Sequence, residues 1–200
     1  MKNLQKHLTT ISNAKSNTSR PILQNIHFSQ THQALIVTDS YRLLKFNTPV
    51  SQSFNINPLT FELSNTDTTY PDVSRLIPSN HNSVIHFESK HITTILTKLF
   101  KLHKTSILTV DVNYDTKQVE FYDNETFITS IPYDVSQGNE LLTFLVNAKY
   151  LSDMFNFMLD YHKESPSTIT LGHVTALRPV TFSTLEYTYL ITPIRMKESK

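Results

Sequence analysis

The order of hydrophobic and polar residues in the C-terminal part of the chain describes one structural unit twice. Alternation of apolar and polar residues predicts strands, and apolar residues three and four positions apart predict helices. The first copy is a strand, a helix and three strands, predicted at 84–88, 90–104, 107–114, 118–123 and 127–135. The second copy has the same order, at 142–146, 148–162, 168–171, 179–184 and 187–193. The pattern therefore predicts an α+β fold that contains a complete, duplicated β-α-β-β-β unit.

The N-terminal part has the pattern of about half of such a unit. It begins with helical spacing and continues with four extended segments, predicted at 3–14, 22–29, 34–38, 43–47 and 54–64. A polar, turn-like stretch at 65–69 ends this part. We therefore expect the strand at 54–64 to lack the neighbour that a complete unit would supply. Such an open edge favours association between chains, here through the N-terminal half.

The composition excludes several classes of protein. The 200 residues include no cysteine and only two glycines, Gly138 and Gly172. The chain therefore has no disulfide or thiol chemistry, and it cannot form a glycine-rich phosphate-binding loop. No apolar run reaches the roughly 18 residues of a membrane span, and the N-terminus lacks the apolar core of a signal peptide. We therefore expect a cytoplasmic protein that does not associate with membranes.

The titratable residues form no catalytic or metal-binding pattern. The nine histidines are dispersed, and the sequence contains neither an HExxH motif nor a G-x-S-x-G motif. Several acidic residues lie near predicted strand ends, where such residues terminate hairpins. We therefore expect a protein that is not an enzyme and that needs no metal or other cofactor.

The positive charge of the chain is concentrated in two segments, although the net charge is only +1. Residues 1–20 and 89–105 each carry four basic residues and no acidic residue. A solvated helix face usually mixes both signs, so this segregation favours contact with nucleic acid; the alternative is an ordinary solvated surface. Contact of lysines with phosphates is independent of base sequence and sensitive to salt. The candidate DNA-binding residues are Lys2, Lys6, Lys15, Lys90, Lys98, Lys101, Lys104 and Lys149.

Four short segments resemble signature segments of one protein family. They are SRPIL at 19–23, TDSYRL at 38–43, YPDVSRLIP at 70–78 and LITPIRM at 190–196. In this order they are similar to segments of the bacterial DNA polymerase III β sliding clamp, the ring that tethers replicative DNA polymerase to its template. The resemblance implies the clamp fold, with a truncated middle domain at 1–69, an interdomain connector at 70–78 and a complete last domain at 79–200. The family's first domain has no counterpart in the sequence.

The resemblance also implies a pocket for peptides. In this family, partner proteins insert a short hydrophobic peptide into a groove between the middle and last domains. The matching positions are Arg20, Leu23, Thr38, Tyr41, Arg42, Leu43, Pro71, Arg75, Leu76, Asn147, Tyr150, Pro193, Ile194, Arg195 and Met196. Tyr41 replaces a usual histidine and Thr192 a larger apolar residue, so we expect a pocket of altered shape. The alternative is that Asp39, Arg42 and Arg75 form ion pairs and that the apolar residues are ordinary core.

Together these implications predict a sliding-clamp-like processivity factor of DNA replication. Its expected partners are DNA polymerase, other proteins with clamp-binding motifs and duplex DNA, and we expect a homo-oligomer. Two versions remain open: a clamp that encircles DNA, and a peptide-binding adaptor or decoy that competes for clamp partners without forming a ring. A degenerate remnant of a clamp is a third version, which the intact pocket segments disfavour.

Overall fold

The computed structural model describes residues 2–64, 69–99, 101, 106–138, 142–165 and 167–195. Within these residues there are three α-helices, α1 (Lys2–Ser12), α2 (Ile92–Leu99) and α3 (Ala148–Tyr161). The strands β1 to β13 are Ile26–Ser29, Ala34–Thr38, Arg42–Asn47, Phe54–Ile56, Ser83–Glu88, Ile107–Asn113, Gln118–Asp123, Thr126–Pro132, Val135–Gln137, Leu142–Asn147, Thr168–His173, Val180–Ser183 and Tyr187–Ile191.

The strands form two antiparallel sheets. One sheet has nine strands in the order β4-β1-β2-β3-β13-β12-β11-β5-β9, and the other has four in the order β10-β6-β7-β8. The two copies of the duplicated unit exchange their first strands, because β5 pairs with β11 and β10 pairs with β6. The predicted α+β fold with a duplicated unit is confirmed, and the exchange joins the two copies into one structure.

The N-terminal and C-terminal parts of the chain share the nine-stranded sheet because β3 pairs with β13. In this pairing Leu43 lies opposite Leu190, and Arg42 lies opposite Ile191. Two of the four family-like segments, which are far apart in sequence, are thus direct neighbours in the sheet.

Most apolar side chains belong to one core between the helices and the two sheets. Leu8 of α1, Ile95 of α2 and Phe155 of α3 all lie in it and are almost completely buried. Helix α3 contacts both other helices and therefore lies between them. Its apolar side is buried as its spacing predicts, and burying a side chain of this size stabilises the fold by about 1.5–3 kcal/mol.

The structure corrects the predicted bounds of three elements. Residues Pro21–Gln24 form a 3-10 turn before β1, because proline fixes φ and lacks the N–H that a strand needs. The predicted strand at 127–135 is two strands, β8 and β9, on different sheets. A 3-10 turn at Ser89–His91 precedes α2. Residues 100 and 102–105 of the predicted second helix, and residues 65–68 of the polar stretch, lie outside the described residues.

The segment 54–64 is a strand that turns back on itself, not the single extended run that we predicted. The side-chain Oδ1 of Asn57 accepts hydrogen bonds from two following backbone N–H groups, at 2.8 and 3.3 Å, and Phe61 adopts a φ of 60°. The returning chain then pairs with β4, where the Ser64 N–H donates to the Asn55 carbonyl at 2.8 Å. The chain therefore covers the strand edge that we expected to be open.

Candidate functional site

The turn between β2 and β3 is held by Asp39, whose side chain is fully buried. Its Oδ1 accepts hydrogen bonds from the backbone N–H groups of Tyr41 at 3.0 Å and of Arg42 at 2.9 Å, a local bond that aspartate often makes in turns. Ser40 adopts a φ of 75°, which is uncommon for a residue other than glycine. The turn leaves the Tyr41 side chain half exposed and buries that of Arg42.

The guanidinium group of Arg42 is engaged inside the protein, and the residue is only 2% exposed. Its Nε donates to Asp39 Oδ2 at 2.8 Å, and its Nη1 donates to Asp153 on α3. Its Cζ lies 4.7 Å from the centre of the Tyr150 ring, a cation–π arrangement. Burial acts to lower the pKa of Arg42, but the acidic groups of Tyr189, Asp39 and Asp153 raise this pKa overall. Arg42 therefore joins β3 to α3 by ion pairs, as the alternative interpretation of the sequence described.

The residues that follow β13 run past this turn. The Thr192 N–H donates to the Tyr41 carbonyl at 2.8 Å, and the Ile194 N–H donates to the Leu145 carbonyl at 2.8 Å. The rings of Tyr41 and Tyr150 are stacked, with their centroids 6.0 Å apart. These contacts bring Tyr41 and Tyr150 together at the surface and hold the chain at Ile194 beside β10.

The connector packs on a second, smaller core, which lies on the N-terminal part of the nine-stranded sheet. This core consists of Leu23, Ala34, Ile36, Leu43, Tyr70, Val73 and Leu190. Immediately after the buried Val73, the 3-10 turn Ser74–Leu76 exposes Arg75 and Leu76, and the Leu76 side chain is 44% exposed. The connector thus anchors itself on one side and presents an arginine and a leucine to solvent on the other.

A cavity of about 270 Å³ lies beside this 3-10 turn. It is lined by Arg75, Leu76, Pro78, Ser79, Asn80, Val174, Arg178 and Pro179. Pockets that hold whole small molecules measure roughly 300–1,000 Å³, so this cavity suits one or two side chains of a peptide. One wall comes from the end of the connector, and the other comes from the loop between β11 and β12.

Sequence analysis identified Arg75 and Leu76 but missed the wall formed by Val174, Arg178 and Pro179. That loop approaches the end of β13 because β12 pairs with β13, with Val180 opposite Ile191. The arginine next to a proline at the start of a strand was the only local signal, and it does not reveal the partner strand.

The predicted pocket residues differ in accessibility. Six are exposed: Arg20, Tyr41, Pro71, Arg75, Leu76 and Arg195. Three are partly buried: Asn147, Tyr150 and Ile194. Five are buried and support the others from beneath: Leu23, Thr38, Arg42, Leu43 and Pro193. Met196 lies outside the described residues.

Two of these residues also fix the local backbone and side chains. The Asn147 side chain caps α3 by accepting a hydrogen bond from the Lys149 N–H at 2.9 Å, which sets the start of the helix that carries Tyr150. The Arg20 guanidinium donates to Ser40 Oγ at 3.1 Å, across the β2–β3 turn.

The predicted DNA-binding lysines lie on the helices and on the turns next to them. Lys6, Lys15, Lys90, Lys98 and Lys101 are exposed. Lys149 is partly exposed and forms an ion pair with Asp153. The side chain of Lys2 and the whole of Lys104 lie outside the described residues.

The acidic residues of the central helix α3 are both held by partners. Asp153 is shared by Arg42 and Lys149, and Asp160 Oδ2 lies 2.9 Å from His7 Nε2 on α1. Burial lowers the pKa of His7, although its contact with Asp160 acts in the opposite direction. The exposed lysines of α1 and α2 form no ion pair within the described part of the chain.

Among the described residues, no group of three His, Cys, Asp or Glu side chains is arranged to hold a metal ion. No helix in the same residues is long and apolar enough to cross a membrane.

Comparison with solved structures identifies the fold. No protein-family model matches the chain, and no curated protein sequence matches it. The DNA polymerase sliding clamp of Bacillus subtilis is 18% identical, with a TM-score of 0.71 over 98% of this chain and 63% of that chain. The β chain of DNA polymerase III from Streptococcus pneumoniae is 21% identical, with a TM-score of 0.73 over 97% of this chain and 63% of that chain. The Helicobacter pylori β clamp, bound to a DNA ligase peptide, is 17% identical, with a TM-score of 0.69 over 97% and 63%.

The chain therefore has the sliding-clamp fold and spans about 63% of the length of these clamp chains. The resemblance carried by the four short segments is confirmed at the level of the fold.

Proposed function

We propose that this protein is a sliding-clamp-like accessory factor of DNA replication that acts by binding and not by catalysis. It binds short hydrophobic peptides of DNA polymerase and related partners, and it contacts duplex DNA without sequence preference. The observation that carries this proposal is the small core at the junction of β3, β13 and the connector, which supports the exposed β2–β3 turn and the exposed connector turn, the second of them beside a cavity with both apolar and polar walls. The Helicobacter pylori clamp, which shares the fold, binds a DNA ligase peptide.

The peptide site has the chemistry that such a ligand needs. Leu76 and Val174 supply apolar walls in the cavity, and the stacked rings of Tyr41 and Tyr150 supply a second apolar surface. Both surfaces are supported by the same small core. Leu43 of this core lies two residues from the exposed Tyr41, and Val73 lies two residues from the exposed Arg75. Each buried leucine or phenylalanine anchor contributes about 1.5–3 kcal/mol, so a peptide with two anchors and a few polar contacts reaches a micromolar Kd, about −8 kcal/mol.

Peptide binding is tested by fluorescence anisotropy with a labelled hydrophobic peptide that carries leucine and phenylalanine anchors. The variant Leu76→Asp should weaken binding at least about tenfold, because it places a charge in an apolar wall. The matched control is Leu185→Asp, since Leu185 is 95% exposed on the turn between β12 and β13. Equal affinities of wild type and Leu76→Asp would show that the peptide does not bind at this cavity.

The proposed DNA contact is supported by the distribution of charge on the helices. Lys6 on α1 and Lys98 on α2 are exposed on either side of α3, whose carboxylates Asp153 and Asp160 already have partners. Lysines in such positions neutralise phosphates, so binding is expected to fall steeply as the salt concentration rises. They do not distinguish between bases, so binding is expected to be independent of DNA sequence.

One observation favours the adaptor over the ring-forming clamp. The outer edge of β4, which we expected to recruit another chain, is paired with the returning residues 62–64. The test is retention on DNA: a closed ring stays on a nicked circle in high salt and slides off after linearisation. A protein held only by lysine–phosphate contacts washes off both substrates, and selective retention on the circle would establish a ring.

A further inference from the structure

The N-terminal half unit, which consists of α1 and β1 to β4, has the strand arrangement of one half of the C-terminal unit. Its sheet order β4-β1-β2-β3 corresponds to β10-β6-β7-β8, the order of the four-stranded sheet, and in both cases a helix precedes the last three strands of the chain order. β4 therefore takes the position of β10, with which the second copy of the C-terminal unit begins. β10 leads directly into α3, and α3 packs against α2. The two halves of the C-terminal unit thus complete each other.

The described part of the N-terminal half unit has no second helix to complete such a pair. After β4 the chain turns back at Asn57, and the described residues between β4 and the connector contain no α-helix. In the pairing of β1 with β4, Ile26 lies opposite Ile56 and Phe28 lies opposite Phe54. These four side chains share the face of the sheet that packs on the main core. Ile26 is buried there, whereas Phe54 is exposed, so the apolar face extends to the surface beside β4.

The turn that follows β4 adds three more exposed apolar side chains. Leu59, Phe61 and Leu63 are each more than half exposed. Leu63 lies opposite Ile56 and hence on the same face of the sheet. With Phe54 these three side chains form an apolar patch, the β4 patch, which exposes roughly 400 Å². Apolar patches of this size on a protein surface are often interaction sites.

The backbone holds the β4 patch in a defined shape. The Asn57 N–H donates to the Glu62 carbonyl at 3.0 Å, and the Phe61 N–H donates to the Asn57 carbonyl at 2.9 Å. Pro58 is buried at this turn, and its carbonyl oxygen lies 3.5 Å from Nε2 of Gln5 on α1. The patch is therefore preformed, which lowers the entropic cost of binding to it.

Charge, area and topology favour a second copy of this chain as the occupant of the β4 patch. Glu62 is the only charged residue between positions 51 and 64, so two copies can face each other with little repulsion between like charges. A twofold contact buries both patches, roughly 800 Å² of apolar surface, and a polar rim brings the total near the ~1,200 Å² at the lower end of specific interfaces. The C-terminal unit supplies the topological reason, because its two halves have the same pattern and pack against each other.

We propose that two copies of this chain associate through their β4 patches about a twofold axis, so that each half unit packs against the other. The contact is made by side chains and leaves the edge of β4 paired with residues 62–64 of its own chain. A twofold contact is closed by two copies, so it builds no ring around DNA. The inference is independent of the peptide site, since β4 lies at an edge of the nine-stranded sheet and β3 and β13 lie in its interior.

The association is measured by sedimentation velocity and light scattering on the full chain at about 1 to 200 µM, because an interface of this size predicts a dimer that dissociates on dilution. At the highest concentration the mass of the wild type should approach twice the 23.1 kDa of one chain. Phe61→Asp should raise the dissociation constant of the dimer at least about tenfold, because it places a charge in the apolar contact. Aspartate tolerates the positive φ of this position better than phenylalanine does, so the turn should stay folded.

The matched control is Phe127→Asp on β8 of the other sheet. Phe127 and Phe61 are both 55% exposed, so the two variants remove equally exposed rings. Phe127→Asp should dimerise as the wild type does. Circular dichroism of both variants checks the fold, and the affinity of Phe61→Asp for the labelled peptide should equal that of the wild type.

A crosslinking experiment tests the symmetry of the contact. The chain contains no cysteine, so a single introduced cysteine can be linked only to its counterpart in another copy. Thr60→Cys, on the exposed turn of the β4 patch, should give a crosslinked dimer with a short bismaleimide. Leu185→Cys, on the exposed turn between β12 and β13, should stay uncrosslinked.

Several results would overturn the inference. A wild type that is monomeric at the highest concentration, or a Phe61→Asp variant that dimerises as tightly as the wild type, excludes the β4 patch as an interface. A mass that continues to rise beyond that of the dimer excludes a closed twofold contact. Loss of the dimer in Phe127→Asp alone assigns the association to the four-stranded sheet instead. Equal crosslinking of Thr60→Cys and Leu185→Cys shows random collision and not a defined contact.

Discussion

Replacement of Arg42 by methionine is expected to destabilise the protein strongly. Arg42 is 2% exposed and Asp39 is fully buried, and their ion pair joins Nε to Oδ2 at 2.8 Å. The variant Arg42→Met leaves the Asp39 charge buried without its cation. Asp153 retains Lys149, so the main unpaired charge is that of Asp39. Breaking a buried ion pair in this way costs about 3–5 kcal/mol.

This cost is a large part of the stability of an ordinary domain, which is about 5–15 kcal/mol. Further losses are the Arg42 Nη2 hydrogen bond to the Thr10 carbonyl of α1, at 3.4 Å, and the cation–π contact with Tyr150. The measurement is the free energy of unfolding from urea titrations followed by circular dichroism. The matched control is Arg20→Ala, which removes an exposed arginine that contacts Ser40 of the same turn and should change the stability by less than about 1 kcal/mol.

A double-mutant cycle isolates the ion pair. Asp39→Asn keeps an oxygen for the N–H groups of the turn and removes the buried charge. The double variant with Arg42→Met should therefore lose less stability than the sum of the two single variants, with a coupling of about 1–3 kcal/mol. A loss below about 1 kcal/mol for Arg42→Met, or the absence of coupling with Asp39→Asn, would refute the assignment of Arg42 as the ion-paired centre of this junction.

Three further predictions address DNA contact, pH dependence and a glycine with positive φ. The double substitution Lys98→Glu with Lys101→Glu should abolish salt-sensitive binding to duplex DNA in an electrophoretic shift assay, whereas Lys117→Glu should weaken it only slightly. Burial lowers the pKa of His162 below its unfolded value of about 6.5. The neutral side chain therefore contributes stability above that pH, and this contribution is lost on acidification. The urea midpoints of unfolding measured at pH 7.5 and at pH 5.5 should differ less in His162→Gln than in wild type. Gly138→Ala should cost about 1–3 kcal/mol in the same titration, because Gly138 has a φ of 86° and an added Cβ would lie 2.2 Å from a backbone carbonyl oxygen.

The sequence predicted the elements that local pattern determines. The apolar spacing of α3 and the alternation of β6 and β7 were correct because each element buries one face of its own sequence against a common core. The turn at Asn57 was missed because apolar and polar residues alternate on both sides of it, as they do in a strand. The turn itself is stabilised by the Asn57 side chain, which accepts hydrogen bonds from two following backbone N–H groups. The 3-10 turn after Pro21 was missed for a related reason, since hydrophobic content alone does not register the missing N–H.

For the candidate site, the sequence proposed residues but not their arrangement or their exposure. The residues matched to the family meet around β3, β13 and the connector, as their order implied. Their exposure could not be read from sequence, because the burial of Arg42 depends on Asp153 of α3, which meets it only in the folded chain. Arg178 was missed for the same reason, since its place in the cavity follows from the pairing of β12 with β13 and not from any neighbour in sequence.

The junction of β3, β13 and the connector lies away from the part of the chain where the sequence predicts the truncation of the middle unit. The N-terminal part contributes the Asp39 turn, the Thr10 carbonyl and the connector, and all of these lie on the side of the sheet where β3 meets β13. The helix and strands that the sequence predicts to be missing from the middle unit would follow β4, an edge strand of the nine-stranded sheet that the chain covers with its own residues 62–64, whereas β3 and β13 lie in the interior of that sheet. The cavity and the small core are therefore formed without residues from the place of that predicted truncation. Encirclement of DNA, in contrast, depends on contacts between further domains or chains. Of the two proposed activities, peptide binding is thus the one that needs no closed ring, and fourteen of its fifteen predicted residues lie within the described part of a single chain.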